Sequence, residues 1–262
     1  MHASHARRLR PVLLALLAIA PAAGACNQAF GPSRVDANWR IHESARFTLH
    51  VRPGSFADQN AGAIGEALDH QYAATLAALG AQFDGRITGF LFNSAGDADL
   101  ESDWSGVAYP ETLVFRATCV PPLGTSLHSL LGHEANHVVI MGALGRAGTR
   151  MMNEGLASAV LSERYADGPG YYYAWTRARR AEIPPLSQLT DDGQWEDIPQ
   201  QVAYSAGASF LAYLLETRGS AALRGLYYAK SSEFAARFAE IYGRPLGEVE
   251  TEWLAFCERY AR

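Results

Sequence analysis

Positive charge is scarce in this sequence. Its 262 residues include 22 lysines and arginines against 27 aspartates and glutamates, which gives a formal net charge of -5 at pH 7. Because nucleic-acid binding requires a concentrated positive face, we expect no nucleic-acid partner. The hydrophobic fraction of 48% excludes a disordered or fibrous chain, and the length suits one globular domain with a substantial core.

Apolar runs of membrane-spanning length are also missing. Residues 12–20 are apolar, but this stretch is too short to cross a bilayer as a mature helix. Arg7, Arg8 and Arg10 precede it and small residues follow it, a pattern typical of a secretory signal peptide over residues 1–25. A buried N-terminal helix is the alternative.

Cysteine is rare, and the three residues are Cys26, Cys119 and Cys257. Cys26 directly follows the small residues and resembles the lipidated cysteine of a bacterial lipobox, although Ala23 stands where that pattern prefers leucine. Ordinary cleavage after Ala25 is the alternative. If Cys26 carries lipid, the other two remain as an even pair, for which an oxidising compartment favours a disulfide. The alternative for this pair is two small buried thiols.

The order of the secondary-structure patterns predicts an α+β fold. Residues 26–40 predict a tether. The patterns after it predict strands over residues 46–51, 86–92 and 112–116, a helix over residues 57–79, and further helices over residues 125–143, 152–165 and 201–217, with two or three short helices up to residue 260. Thr125 or Ser126 is expected to cap the first of these later helices. We expect a single domain over residues 41–262, with a small mixed sheet and a helix in an N-terminal lobe (41–145) and a helical C-terminal lobe (146–262).

His133, Glu134 and His137 form an H-E-x-x-H motif within the helix predicted over residues 125–143. Residues four apart lie on one face of a helix, so the two imidazoles point towards one spot, and neutral imidazole is a good zinc ligand. Glu134 lies beside that face, where a carboxylate accepts a proton from a water molecule whose pKa zinc has lowered. The alternative is a pair of hydrogen-bonded core histidines.

Glu154 is the candidate for a third ligand, because a catalytic zinc ion has three protein ligands and one open position. It stands near the start of the next predicted helix, after a glycine-containing turn that is long enough for the chain to reverse direction. An antiparallel second helix would direct its carboxylate back to the histidines, and we expect one Zn2+ ion per chain. The alternative is a first-turn glutamate that stabilises the helix dipole.

The H-E-x-x-H motif followed by N-E-G-L-A at residues 153–157 resembles the gluzincin branch of the zinc metallopeptidases. The resemblance is greatest to the small bacterial peptidase MA-like domains. Residues 43–50, 204–213 and 239–253 resemble the opening strand, the helix after the site and the closing helices of that family. Only the metal motifs are specific.

This resemblance implies a zincin-like fold with the metal site between the two lobes. It implies that His133, His137 and Glu154 bind zinc and that Glu134 is the general base. Relatives often place a tyrosine or histidine where it stabilises the tetrahedral oxyanion. Tyr204 is the candidate here, because it lies on the helix that matches the one after the site.

Tyr171, Tyr172 and Tyr173 compete with Tyr204 for that role, and their cluster with a nearby tryptophan lines a groove or packs in the core. The resemblance also implies an edge strand that pairs with an extended substrate. Residues 112–116 are the candidate, and an ordinary sheet strand is the alternative. The Gly-x-Met-Glu-Asn element of aminopeptidase N is absent, which favours internal cleavage.

These patterns predict a zinc-dependent peptidase, an endopeptidase of the bacterial cell envelope located in the periplasm or on the outer membrane as a lipoprotein. Its partners are peptide or protein substrates, and the lipidated Cys26 would supply a membrane tether. Two other functions stay open. One is a catalytically silent zincin-fold lipoprotein that acts as a binding or scaffold module, and the other is a zinc hydrolase acting on a cell-wall or ester substrate.

Overall fold

Five strands form one mixed sheet in the first half of the chain. The computed structural model describes residues 38–98, 100, 105–121, 123–162 and 168–260. The strands are β1 (Arg40–Glu43), β2 (Phe47–Val51), β3 (Ile87–Phe92), β4 (Gly106–Tyr109) and β5 (Val114–Thr118), in the order β1-β2-β3-β5-β4. The three central strands are parallel, whereas β1 and β4 pair antiparallel with their neighbours. One edge of the sheet is therefore β4.

Helix α1 (Phe56–Leu79) covers one face of this sheet. Alternate residues of β2 are buried, as expected for a strand with one face in a core. The helix begins after Ser55, whose hydroxyl accepts a hydrogen bond from the Asp58 N–H, and it ends at Gly80, which adopts the left-handed conformation at a φ of 56°. Both ends of α1 are thus set by local sequence.

The second half of the chain is helical. After α2 (Thr125–Leu144) come one π-helical turn (Met151–Gly155), α3 (Leu156–Ala159), α4 (Pro169–Ala178), α5 (Leu186–Leu189), α6 (Asp192–Trp195), α7 (Gln200–Arg218), α8 (Ser220–Leu226), α9 (Phe234–Tyr242) and α10 (Leu246–Arg259). Short 3-10 turns occupy Pro110–Thr112 and Arg180–Glu182. Within the part of the chain that the structure describes, no helix is both long and apolar enough to cross a membrane.

Helix α2 lies between two cores. Its residues Ala135 and Val139 pack with α1 and with sheet residues such as Phe115, in what we call the sheet core. Its residue Ile140 packs with the later helices, in what we call the helical core. Because both sides of α2 are covered, its buried polar residues require partners within the protein.

The predicted α+β class is confirmed, since the strands and one helix come first and the other helices follow. The predicted strand over residues 112–116 corresponds to β5 but is displaced. It begins only at Val114, because Pro110–Thr112 forms a 3-10 turn and Leu113 takes a left-handed φ of 57°. The sequence pattern does not predict the short strands β1 and β4.

One predicted helix cap and one predicted helix boundary are also wrong. Neither Thr125 nor Ser126 caps α2, because the N-cap residue is Gly124, which has no side chain to form the hydrogen bond. The helix predicted over residues 152–165 stops at Ala159. Its last backbone groups bind a buried glutamine side chain of α1 instead of continuing the helix.

Cys119 and Cys257 are both free and buried, so the predicted disulfide between them is wrong. Cys119 packs in the sheet core, whereas Cys257 packs in the helical core. The two thiols therefore behave as small apolar side chains in different parts of the fold. The predicted signal peptide, Cys26 and most of the predicted tether lie outside the described residues.

Candidate metal centre

Helix α2 brings His133 and His137 together. Because they are four residues apart, their side chains lie on the same face of the helix, with the two Nε2 atoms 3.1 Å apart. The opposite face of the helix is buried through Ala135, Val138 and Val139. Burial of that face fixes the rotation of α2 about its axis and thereby the direction of both imidazoles.

Glu154 reaches the same point from the next element of the chain. Its Oε2 lies 3.6 Å from Nε2 of His133 and 3.3 Å from Nε2 of His137. All three candidate ligand atoms lie within 4.8 Å of one another. The structure thus brings together the three residues that the two motifs single out.

The connection between α2 and Glu154 is held by the chain that follows α8. The Gly148 N–H donates to the carbonyl of Tyr227 at 2.9 Å, and the Tyr227 hydroxyl donates to the carbonyl of Gly145 at 2.9 Å. A Cβ atom at Gly148 would lie 2.2 Å from the carbonyl oxygen of Ala229. Only glycine allows this close approach, which anchors the reversal of the chain before Glu154.

Glu154 itself lies in the π-helical turn Met151–Gly155, which continues into α3. Such single π turns are often found at functional sites. Gly155 packs directly against the backbone of α7, since a Cβ atom there would lie 2.9 Å from the carbonyl carbon of Gly207. This contact brings the turn with Glu154 close to α7, about one helical turn after Tyr204.

The three ligand atoms fit a tetrahedral zinc ion. At zinc–ligand distances of about 2.0–2.2 Å, the ligand atoms of a tetrahedron are about 3.3–3.6 Å apart. The separations of 3.1, 3.3 and 3.6 Å in this site are close to that range. Two imidazoles and one carboxylate form one of the donor sets of catalytic zinc sites, in which the fourth position stays open.

The Glu154 carboxyl is held in its ionised form. Burial alone raises its pKa, but the close pairing of its carboxylate with His133 and His137 outweighs burial and lowers the pKa well below its usual value. The side-chain amide of Asn153 donates to Oε1 at 2.8 Å. With Oε1 bound to this amide, Oε2 faces the histidines in the charged form that a metal ligand requires.

Glu134 is buried beside this triad. Burial raises the pKa of its carboxyl to about 7, against the opposing effect of His133, and the charge of Glu154 adds to the increase. A carboxyl group with a pKa near neutrality suits the transfer of protons to and from water. Its side chain lies against the backbone of Gly106 in β4, so the edge strand and the candidate base are direct neighbours.

A groove of about 1010 Å³ contains the triad and Glu134. Residues 105–108 around β4 line it, and so do Tyr171 and Tyr172 of α4. Tyr173 instead faces the helical core, where its hydroxyl donates to Glu216 at 3.1 Å. The predicted aromatic cluster is thus divided between the groove and the core.

Tyr204 of α7 lies within the site. Its ring centroid is 6.2 Å from that of His133, and Glu154 is close enough to raise the pKa of its hydroxyl. Burial, with the negative charge of Glu154, raises the pKa of this hydroxyl above its usual value. The group is therefore protonated at neutral pH and available as a hydrogen-bond donor.

The comparisons with known proteins give no assignment. No protein-family model and no curated protein matches this chain. The function is therefore inferred from the geometry of the site and from the motifs of the sequence.

The prediction that residues 112–116 form the edge strand is wrong. The strand at that position, β5, lies between β3 and β4, and the edge strand on this side of the sheet is β4 (Gly106–Tyr109). Strands β4 and β5 pair antiparallel as a hairpin, and β4, which comes first in the chain, is the outer strand. Because β4 is short and half-exposed along its whole length, it lacks the apolar alternation by which a strand is predicted.

Two residues of the site are not among those predicted. The hydroxyl of Ser158 lies 3.0 Å from Nδ1 of His133, which leaves Nε2 free for a metal. Its spacing of four residues from Glu154 is a usable sequence signal, because residues four apart share a helix face. Gly106 gives no such signal, since its contact with Glu134 depends entirely on the packing of β4.

Proposed function

We propose that this protein is a zinc-dependent peptidase. The observation that carries the proposal is the cluster of His133, His137 and Glu154, whose ligand atoms are spaced for a tetrahedral ion. Beside them lies the buried Glu134, whose pKa is raised to about 7. A metal site with an adjacent proton acceptor, both lining a groove, is an arrangement for metal-assisted hydrolysis.

Each residue of the site has a role in this reaction. When bound, zinc would polarise the substrate carbonyl and lower the pKa of a water molecule. Glu134 would accept the proton of the attacking water and pass it to the leaving amine. Tyr204 would donate a hydrogen bond to the substrate oxygen on which negative charge develops. Ser158 would keep the His133 ring in the orientation that binds the metal.

The shape of the groove supports cleavage within a chain. Residues from Ser126 in α2 to its C-cap residue Gly145 line it, a distance of about 28 Å at 1.5 Å per residue. An extended peptide of about eight residues spans such a length. Among the described residues β4 pairs only with β5. Its other side would bind such a peptide by backbone hydrogen bonds, and the absent Gly-x-Met-Glu-Asn element agrees with an endopeptidase.

The location proposed for the enzyme is the bacterial cell envelope. Residues 1–25 would direct export, and Cys26 would carry a lipid tether on the mature protein. The mass of the mature N terminus tests this part separately. A lipid-modified Cys26 supports the tether, whereas an unmodified N terminus supports ordinary cleavage and a protein free in the periplasm.

The proposed function is tested by zinc stoichiometry and by cleavage of unfolded casein. We expect one zinc ion per wild-type chain, and weaker zinc binding in Glu154→Ala. Glu134→Gln should keep its zinc and lose cleavage by at least about 100-fold, the usual contribution of a general base. Glu111→Gln is the matched control, because this exposed glutamate lines the same groove but pairs with Arg146 away from the triad.

Other outcomes separate the alternatives. Zinc binding without cleavage of casein or of a peptide library would favour the binding module. Cleavage confined to cell-wall peptides or esters would favour the other hydrolase. Folded wild-type protein that binds no zinc would contradict the proposal itself.

A further inference from the structure

Three buried polar side chains next to the candidate centre have no role in the proposed reaction. Gln71 and Thr75 of α1 and Asn136 of α2 are each 0% exposed. The Thr75 hydroxyl donates to Oδ1 of Asn136 at 2.6 Å. The Gln71 amide donates to the same oxygen at 3.1 Å and to the Thr75 hydroxyl at 2.9 Å. We call these three residues the polar network.

The polar network binds the segment that continues from the third candidate ligand. Nδ2 of Asn136 donates to the carbonyl of Ala157 at 2.7 Å. Nε2 of Gln71 lies 2.9 Å from the carbonyl of Val160, and its Oε1 accepts a hydrogen bond from the Ser162 N–H at 3.0 Å. The network therefore joins α1, α2 and α3 through side chains that water does not reach.

These bonds join α2, which carries the two histidines, to α3, which directly follows the π-helical turn with Glu154. Asn136 directly precedes His137 in α2, and Ala157 directly precedes Ser158 in α3. If either helix moved along its axis, the bond between Asn136 and Ala157 would break. The same movement would change the distance between the carboxylate of Glu154 and the imidazoles.

Stability of the core does not by itself require such a network. Apolar side chains fill a core without desolvating amides, and a buried polar group that loses its partner destabilises the fold. Directional hydrogen bonds differ from apolar contacts because they specify one register between two helices. A spacing that must match an ion to a few tenths of an ångström depends on such a register.

We propose that the polar network fixes the spacing of the three candidate ligands, so that Gln71, Thr75 and Asn136 are positioning residues that set metal affinity. This inference rests on the proposed zinc site. It assigns these residues no contact with the metal or the substrate. It predicts that their loss weakens zinc binding more than equal destabilisation elsewhere does.

The experiment compares two substitutions at Thr75 in the full-length protein. Thr75→Val keeps the shape of the side chain and removes the hydroxyl, whereas Thr75→Ser keeps the hydroxyl. Asn136→Ala removes the central residue. Ser209→Ala is the control, because Ser209 is also 0% exposed and accepts a hydrogen bond from Trp253 at 3.0 Å, within the helical core.

Two quantities are measured at a temperature at which every variant is folded. The zinc dissociation constant is obtained by competition with a chelator, and the visible spectrum of the cobalt-loaded protein reports ligand geometry. We expect a loss of zinc affinity of about 10- to 100-fold in Thr75→Val and Asn136→Ala, the usual effect of residues that support ligands. Their cobalt spectra should change, whereas Thr75→Ser and Ser209→Ala should stay within about twofold of wild type with unchanged spectra.

The inference is overturned if Thr75→Val and Asn136→Ala keep the zinc affinity and the cobalt spectrum of the wild type. Their substitution would then only lower stability, as Ser209→Ala does. If Asn136→Ala does not fold, the Thr75 pair decides. If the proposed function itself is wrong, the measurements give a different result, because the wild-type protein would then bind no zinc. The two failures are therefore distinguished in the same set of measurements.

Discussion

A methyl group at Gly106 would lie 2.6 Å from Oε1 of Glu134 and 2.7 Å from its Cγ. Real Cβ atoms essentially never make contacts this short, so any side chain at this position of β4 must displace the carboxylate. The missing side chain of Gly106 is what allows an edge strand and a buried proton acceptor to be neighbours.

We therefore expect Gly106→Ala to impair catalysis while zinc remains bound. Displacement of Glu134 should lower kcat by at least about tenfold, because small misplacements of catalytic groups are costly. Steady-state kinetics and zinc stoichiometry check this. Gly62→Ala is the matched control, since a Cβ atom at Gly62 of α1 would meet nothing within 4 Å. Wild-type kcat in Gly106→Ala would contradict the assigned position of the base.

The raised pKa of Glu134 makes the stability of the metal-free protein depend on pH. The folded carboxyl titrates near 7, whereas its ordinary value is 4.5. The folded state thus binds the proton more tightly than the unfolded state. The stabilising effect is complete below about pH 4.5 and is lost as the pH rises to about 7.

Urea unfolding of metal-free wild type and Glu134→Gln between pH 4.5 and 7.5 measures this effect. As the pH rises, the free energy of unfolding of the wild type should fall by about 3 kcal/mol relative to that of Glu134→Gln, which has no carboxyl group at this position. A difference that stays constant across this range would show that the carboxyl titrates normally in the folded protein.

Tyr204→Phe should lower kcat and leave KM nearly unchanged. The hydroxyl is proposed to act on charge that develops only in the transition state, and its loss should cost about 10- to 100-fold in kcat. Tyr171→Phe, which removes the hydroxyl of another tyrosine that lines the groove, serves as the control. Loss of activity in Tyr171→Phe alone would move the role to α4.

The cysteines should remain reduced thiols. Burial raises the pKa of Cys119 to about 12 and that of Cys257 to about 11, so both react slowly in the folded protein. In a Cys26→Ser variant we expect no thiol to react with a disulfide reagent before denaturation and two to react afterwards. If no thiol reacted after denaturation in the absence of a reductant, Cys119 and Cys257 would form a disulfide as the sequence predicts.

Local sequence is sufficient for the parts of the fold that periodicity determines. Apolar residues at helical spacing over residues 57–79, followed by Gly80, predict α1. The helical spacing of His133 and His137 places both imidazoles at one spot before any contact is known. The motif around Glu154 adds the third residue. These features depend on helix geometry, which is the same wherever a helix lies.

Features that depend on contacts between distant segments are not predicted. The edge strand β4 is short and without alternation, and its position depends on β5 and on the space beside Glu134. The early end of α3 depends on Gln71, about ninety residues earlier in the chain. The free thiols follow from the separation of two cores, which cysteine parity does not reveal.

The π-helical turn Met151–Gly155 makes the site depend on residue count as well as on residue identity. Each residue of an α-helix advances the chain by about 100° around the axis, and the π turn is wider than an α-helical turn by one residue. Deletion of one residue before Glu154 would let this turn relax to α-helical geometry and swing the carboxylate away from the imidazoles. A sequence with such a deletion would keep every letter of both motifs and lose the site that they describe.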